Sequence, residues 1–167
     1  MITHLPCYQD TSNEESGPYF DIDTAEECLI SKDEARRAAS QQMISTLIVT
    51  EWAKERPDDQ VEWEKSNINA LKEAGAPLAV GVNAYGATLT DGMIAGVKKG
   101  FLSAVELLRV ASLDTPRAIF PRRRVGCLDV GCEASFIGFE KNPIEDITAI
   151  RNITMRLKDG KVVELSD

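Results

Sequence analysis

Two stretches of the sequence place reactive or polar side chains where predicted strands end. His4 closes the stretch MITH and is the one histidine in the chain. Asn83 follows PLAVGV, and Tyr85 and Thr88 come next in a loop, where the alternatives are ordinary loop packing and contact with a substrate. An imidazole binds metals and takes protons, whereas a carboxamide is neutral and is no base. An open catalytic metal site needs about three protein ligands, and His4 is the one credible ligand here.

Other catalytic patterns are missing from the sequence. A nucleophilic cysteine needs a basic neighbour, and Cys7 has only His4 nearby, so this role is not favoured. No GxSxG stretch is present for serine catalysis. The glycine-rich VGVNAYGATLTDG lacks the GxGxxG and GxxxxGK spacings of nucleotide-binding loops. The remaining cysteines, Cys28, Cys127 and Cys132, form no CxxC or zinc-finger pattern, and we expect reduced thiols in a cytoplasmic protein.

The charge balance argues against a nucleic-acid partner. The chain of 167 residues has a net charge of −8, whereas phosphate binding needs clustered Lys and Arg. Its one basic cluster, PRRR at 121–124, is small and is typical of a solvated turn. No apolar run is long enough for a membrane span, and the first residues lack the layout of a signal peptide. We therefore expect neither a nucleic-acid nor a membrane partner.

Apolar periodicity predicts an α/β organisation for residues 1–120. Strands are expected at 1–8, 44–50 and 77–83, where apolar and β-branched residues cluster. The SKDE stretch has capping-box spacing, with Glu34 three residues after Ser31. Helices are predicted at 31–43, 61–75, 91–100, 103–112 and 115–120. Alternating strands and helices of this kind indicate a parallel sheet covered on both faces.

Residues 121–167 are predicted to be a separate, mainly β region. RVGCLDVGCEASFIGF is typical of two strands around a glycine turn, and Asp159-Gly160 between alternating residues predicts a hairpin. Three residues are core candidates in this region: Ala134, Phe136 and Phe139.

The same C-terminal stretch resembles the end of the amidohydrolase superfamily, nearest to imidazolonepropionase-like and prolidase-like members. The resemblance is carried by VELLRVASLDTPRAI, VGCLDVGCEASFIGFEKNPIEDI and ITMRLKDGKVV, in order over about 65 residues. Ser135 departs from the family, which usually has Asp there. The resemblance implies an incomplete (β/α)8 barrel, strands six to eight with their helices, followed by C-terminal strands of a small composite β domain.

The resemblance also assigns expected roles upstream. ITHLPCY looks like the sixth barrel strand, which makes His4 a metal ligand, and PLAVGVNAYG looks like the eighth. Asn83 then stands where the family usually has a metal-binding Asp that takes a proton from water, so the site is degenerate. Tyr85 and Thr88 are weaker substrate-binding candidates. Asp91 is a carboxylate nearby, but it is expected to cap the following helix.

Two hypotheses follow. In the first, the chain is a truncated and catalytically impaired member of a family of metal-dependent hydrolases of non-peptide C–N bonds or small peptides. The family implies zinc or another divalent metal, which we expect to be absent from this chain alone. In the second, the chain is a non-catalytic binding module or half of a split enzyme. Both imply a homo-oligomer or a complementing chain that carries the missing barrel strands.

Overall fold

The structure is a computed structural model that describes residues 2–4, 28–55, 57–83 and 85–164. The chain is α/β and divides into two compact units. One unit comprises residues 1–47 and 55–77, and the other comprises 48–54 and 78–167. No helix in the described ranges has the length and apolarity that a membrane span requires.

The first unit contains two parallel strands and two long helices. Its elements are β1 (Ile2–His4), α1 (Lys32–Ser40), β2 (Ile44–Ile48, whose last residue belongs to the second unit) and α3 (Asp58–Ala74). Strands β1 and β2 run parallel, with Ile2 opposite Ile44 and His4 opposite Thr46. The parallel pairing and the helices agree with the predicted α/β order.

Helix α1 begins and α3 ends as the sequence predicts. The Ser31 hydroxyl accepts from the Glu34 N–H, while the Glu34 carboxylate accepts from the Ser31 N–H, which completes a capping box. Helix α3 ends at Gly75, whose φ of 73° is left-handed, and its N–H donates to the Leu71 and Lys72 carbonyls. The helix begins three residues earlier than predicted, at Asp58 directly after Pro57.

Asn67 ties the start of α1 to α3 inside the first unit. Its side chain is buried, its Oδ1 accepts from the Ile30 N–H at 2.7 Å, and its Nδ2 donates to the Cys28 carbonyl at 2.7 Å. A buried amide is tolerated because both its donor and its acceptor are satisfied. Ala35, Ile68 and Leu71 fill the apolar core beside it.

The second unit contains the remaining elements. Their bounds are α2 (Val49–Trp52), β3 (Leu78–Gly81), α4 (Leu89–Lys98), α5 (Ala104–Arg109), a π-helical turn (Val110–Asp114), α6 (Thr115–Ile119), β4 (Phe136–Phe139), a 3₁₀ helix (Ile147–Arg151), β5 (Ile153–Lys158) and β6 (Lys161–Val162). Helix α2 is unexpected, because the strand predicted at 44–50 ends at Ile48 and turns helical.

Trp52 is the centre of the second unit's core. It is fully buried, and its ring stacks on Phe101 with centroids 4.8 Å apart. Gly96 of α4 lies against the same ring, so closely that a Cβ added there would fall 2.2 Å from Trp52 Cε3. Glycine is therefore required by the close approach of helix and indole, and not by a turn.

The helices predicted at 103–112 and 115–120 are joined through the π-helical turn. Pro116 lacks the N–H that would bond the Ser112 carbonyl in a regular α-helix, and widening of the helix accommodates it. The Ser112 carbonyl faces Gly126, where a Cβ would lie 1.9 Å from the oxygen. The two predicted helices are therefore one continuous element with a π segment.

Strands β4, β5 and β6 form an antiparallel sheet, and the predicted hairpin is confirmed. Leu157 pairs with Val162 across a turn in which Asp159 and Gly160 have φ values of 50° and 74°. Two other predictions are wrong. Residues 121–135 form a looped segment with no strand, and the core candidates Ala134 and Phe136 are exposed, while Phe139 is half-buried.

The expectation of reduced thiols is also wrong for the described cysteines. Cys127 and Cys132 form a disulfide with their Cα atoms 5.8 Å apart, and Cys28 is disulfide-bonded too. The turn in which the Cys132 N–H donates to the Asp129 carbonyl, with Gly131 at a φ of 85°, folds the tip of the loop back on itself. The sequence predicts a glycine turn here, but the disulfide across it was not predicted. Cys7 lies outside the described residues.

Candidate functional site

The loop between β3 and α4 carries three of the predicted site residues. Asn83 comes two residues after the end of β3, and Tyr85 and Thr88 follow it. All three side chains are exposed, Tyr85 completely. Gly86 turns the loop with a φ of 75°, and Thr88 is the N-cap residue of α4, although its hydroxyl makes no capping hydrogen bond. The structure therefore gathers these residues in one solvent-facing loop.

Strand β3, which precedes this loop, is fixed by burial and by a hydrogen bond to Thr115. Leu78, Ala79 and Val80 are buried, and the Val80 N–H donates to Thr115 Oγ1 at 2.9 Å. A side-chain acceptor on a strand N–H satisfies a donor that would otherwise be costly to bury. Sequence reasoning took Thr115 only as the start of a helix. The sequence signal that could have identified this contact is a hydroxyl residue directly before a proline in a helix.

His4 belongs to the other compact unit. It is the last residue of β1 and pairs with Thr46 of β2, but its side chain lies outside what the structure describes, so its role as metal ligand stays a prediction. Thr46 Oγ1 is buried and finds no hydrogen-bond partner in the part of the chain that is described. The sequence did not single out Thr46, because it is one of several β-branched residues in the strand.

Asp91 does not cap α4. Thr88 occupies the cap position, and Asp91 lies in the first turn, where its carboxylate pairs with the Arg151 guanidinium of the 3₁₀ helix. Both side chains are more than half exposed, so the pair contributes little stability. The Asp91 carboxylate is nevertheless paired with a cation, which makes it a poor substitute for the carboxylate that the sequence resemblance expects at position 83.

A groove of about 420 Å³ lies within the first unit. Helices α1 and α3 line it with side chains of both charges, among them Lys32, Arg36 and Glu73. Arg36 also pairs with Asp33 at 3.0 Å, one turn away on the same helix. None of the predicted site residues lines the groove, and its open, polar walls do not resemble the largely apolar pockets of small-molecule sites.

The described residues do not fit a divalent metal site. Among those whose side chains are placed, no group of three or more His, Cys, Asp or Glu is positioned to hold an ion. Asn83 brings an amide oxygen, which is a weaker ligand for zinc than the imidazole, thiolate and carboxylate groups that usually bind it. No catalytic step through a metal is derived for this chain.

Comparison with known proteins shows the fold but not a family. No family model matches the chain, and no curated protein matches it. Among solved structures, a prolidase complexed with N-methylphosphonate-L-proline matches with a TM-score of 0.64 and 16% identity, over 83% of this chain and 39% of that one. The A. niger ochratoxinase matches with a TM-score of 0.62 and 19% identity, over 79% of this chain and 34% of the other.

A third similar structure is a Xaa-Pro dipeptidase with bound methionine in its active site, with a TM-score of 0.61, 19% identity, and coverage of 81% and 38%. The chain thus spans less than two fifths of the length of these structures. At such low identity the likeness shows that the chain has part of the fold of amidohydrolase structures. It does not by itself assign an activity.

Proposed function

We propose that this chain forms part of a hydrolase of amidohydrolase type, which acts on non-peptide C–N bonds or small peptides, and that the chain alone is catalytically impaired. The observation that carries this proposal is the match of about four fifths of the chain to a prolidase, a Xaa-Pro dipeptidase and an ochratoxinase. A phenylurea hydrolase and a molinate hydrolase are similar in fold as well. Their names share hydrolysis of small molecules, and the C-terminal sequence motifs point the same way.

The proposed impairment rests on Asn83. It follows the buried strand β3 and faces solvent, in the position where the sequence resemblance expects a carboxylate. A neutral amide neither accepts a proton from water nor offsets the charge of a metal ion. Hydrolysis by this chain would therefore need a base and metal ligands from elsewhere. A cytoplasmic location is part of the same proposal.

Metal retention and hydrolysis test the proposal together. The purified chain is incubated with zinc, dialysed, and assayed for metal content and for cleavage of an acyl-proline dipeptide. We expect little zinc and no turnover from the natural sequence, and more zinc retained by Asn83→Asp. The matched control is Asn69→Asp, the same change at an exposed residue of α3, and it is expected to leave zinc retention unchanged.

Two outcomes would contradict the proposal. Near-stoichiometric zinc and turnover by the natural sequence would show that the chain is a competent enzyme. Equal zinc retention by Asn83→Asp, Asn69→Asp and the natural chain would show that the loop after β3 is not a metal site.

The second candidate function, a non-catalytic interaction module, is favoured by the sheet β4–β5–β6. No residue of its three strands is buried. The strand register places apolar side chains on one face: Phe136, Phe139, Ile153, Met155, Leu157 and Val162. A sheet normally buries such a face against another layer. Phe136, Met155 and Val162 of this face are exposed in the described part of the chain, and the other three are half-buried. This exposure supports our proposal that a complementing chain or a second copy packs there.

Two neighbouring residues of β5 provide a matched test of this surface. Met155 lies on the apolar face and Thr154 on the opposite face, and both are exposed. If the face binds a second copy, Met155→Arg shifts the chain to monomer in sedimentation velocity, whereas Thr154→Arg leaves the oligomer intact. A monomeric natural chain would contradict the homo-oligomer and leave the complementing chain as the proposed partner.

A further inference from the structure

The loop between α6 and β4 carries the described disulfide, Cys127–Cys132, at an open tip. Leu128 and Val130 lie between the two cysteines and are 88% and 98% exposed. Both cysteines are half-buried. Small molecules in solution therefore have access to the region around the two sulfur atoms, unlike a disulfide sealed in a core.

The ends of this loop are held together without the disulfide. The Glu133 N–H donates to the Arg124 carbonyl at 2.8 Å. The Glu133 carboxylate accepts two hydrogen bonds from the Arg123 guanidinium, one of them at 2.8 Å from Nε. Two parallel hydrogen bonds fix the geometry of this contact and make it stronger than a single ion pair. Reduction of the disulfide would therefore leave the two thiols close to each other.

The two sulfur atoms have different neighbours. The Arg124 guanidinium Nη2 lies 3.9 Å from Cys132 Sγ, whereas Cys127 Sγ lies 3.7 Å from the Arg124 carbonyl oxygen. A cation stabilises a thiolate, while a carbonyl oxygen accepts a hydrogen bond from the protonated thiol. After reduction, Cys132 is thus the sulfur whose ionised form is favoured.

We propose that Cys127 and Cys132 form a reversible thiol–disulfide site, with Cys132 as the attacking thiolate and a small disulfide such as glutathione disulfide as the oxidant. The Cys132 thiolate attacks one sulfur of glutathione disulfide, forms a mixed disulfide and releases one glutathione thiolate. The Cys127 thiol loses its proton to solvent and attacks Cys132 Sγ, which releases the second glutathione. Two protein thiols are oxidised and one glutathione disulfide is reduced to two thiols.

This site is independent of the proposed hydrolase function. A reversible thiol–disulfide pair requires a loop that keeps its shape in both redox states. Arg123, Glu133 and the backbone hydrogen bond hold this loop closed, so its fold does not depend on the disulfide. In this proposal the disulfide of the structure is the oxidised state of the site, and the dithiol is its reduced state.

Mass spectrometry of a single tryptic peptide reports the redox state of both cysteines. Trypsin cleavage after Arg124 and Lys141 yields residues 125–141, which contain Cys127 and Cys132 and neither of the other cysteines. After reduction and removal of the reductant, the natural chain treated with glutathione disulfide should lose two hydrogens from this peptide and retain no glutathione. Cys127→Ser should accumulate one glutathione on Cys132, and Cys132→Ser should react more slowly.

The role of Arg124 is tested by Arg124→Ala against Arg122→Ala, a neighbouring exposed arginine. Loss of the cation should slow the reaction of Cys132 by roughly threefold for each pK unit, since nucleophilicity partly offsets the lower thiolate fraction. Arg122→Ala should leave the rate unchanged. Equal rates in both variants, or equal rates for Cys127→Ser and Cys132→Ser, would overturn the assignment of Cys132 as attacking thiolate.

A measurement on the natural chain covers the case in which the serine variants fail to fold. The reduced protein is alkylated with a limiting amount of iodoacetamide, and the labelled fraction is determined for each cysteine in the peptide. Preferential labelling of Cys132 supports the proposal, whereas equal labelling or preference for Cys127 overturns it. Failure of the reduced chain to reform the disulfide with glutathione disulfide would overturn the reversible site altogether.

Discussion

Trp52 and Phe136 are large apolar residues of the same compact unit, but they differ in burial. Trp52 is 0% exposed, stacked on Phe101 and fitted against Gly96, whereas Phe136 is 37% exposed on the sheet formed by β4, β5 and β6. Along the chain, the change from buried to exposed residues takes place within a few positions. Ile150 of the 3₁₀ helix is buried, and Thr154, four residues later, is exposed.

This contrast separates residues that hold the unit together from residues that remain available for contact. The core around Trp52 buries its apolar surface, so its side chains contribute to stability. The sheet leaves its apolar face open, so the same kind of side chain there contributes mainly to what the sheet binds. Four experiments test these contacts and their neighbours, from the largest expected effect to the smallest.

Trp52→Ala is the substitution that most directly removes the packed core. Truncation of a fully buried tryptophan leaves a cavity next to Phe101 and should lower the free energy of unfolding by about 3–5 kcal/mol. Urea denaturation followed by far-UV circular dichroism measures it, since the fluorescence of the removed indole is lost. A loss below 1 kcal/mol would show that this core is not the stabilising centre of the unit.

Gly96→Ala should destabilise the chain, whereas Gly138→Ala should not. A Cβ at Gly96 would overlap the Trp52 ring, which is fully buried and has no room to move, and the cost is about 1–3 kcal/mol. A Cβ at Gly138 would make ordinary contact, 3.4 Å from Met155 Cβ, with an effect within about 0.5 kcal/mol. Thermal unfolding of both variants gives the comparison, and equal melting temperatures would contradict it.

Val162→Thr should leave stability almost unchanged while it alters the open face. Val162 is 73% exposed and threonine has nearly the same shape, so the unfolding free energy should change by less than about 0.5 kcal/mol. Binding of the dye ANS, which reports exposed apolar surface, should fall. The control is Leu128→Thr, at a residue outside the sheet that is 88% exposed. A fall of equal size in both would show that ANS does not report this face.

Glu133→Gln should make the smallest change and one that depends on pH. The Arg123 guanidinium, by hydrogen bonding first and charge second, holds the pKa of the Glu133 carboxyl below its usual value of 4.5. An acid with a lowered pKa stabilises the folded state above its unfolded pKa, and this contribution is lost as the pH falls through the folded value. Glu133→Gln should therefore be slightly less stable than the natural chain at pH 7.

The two chains should become alike in acid, below pH 4.5. Melting temperatures measured across this range check the expectation. A difference that persists unchanged at low pH would show that the ion pair with Arg123 is not its source. Because solvent reaches both side chains, 44% exposed for Arg123 and 27% for Glu133, the effect is expected to be small at every pH.

The sequence alone determined the features that depend on near neighbours. The capping box at Ser31, the end of α3 at Gly75 and the Asp159-Gly160 hairpin form as the local sequence predicts. Each needs only residues within one turn of the chain, so a short stretch of sequence specifies it. The α/β order follows in the same way from apolar periodicity.

Only the tertiary structure decided the features that depend on distant residues. The π-helical turn facing Gly126 and the hydrogen bond from Val80 to Thr115 join parts of the chain whose approach no local pattern encodes. The exposure of Phe136 is of the same kind. Alternating residues predict a strand with an apolar face, but whether another layer covers that face is decided by what packs against it.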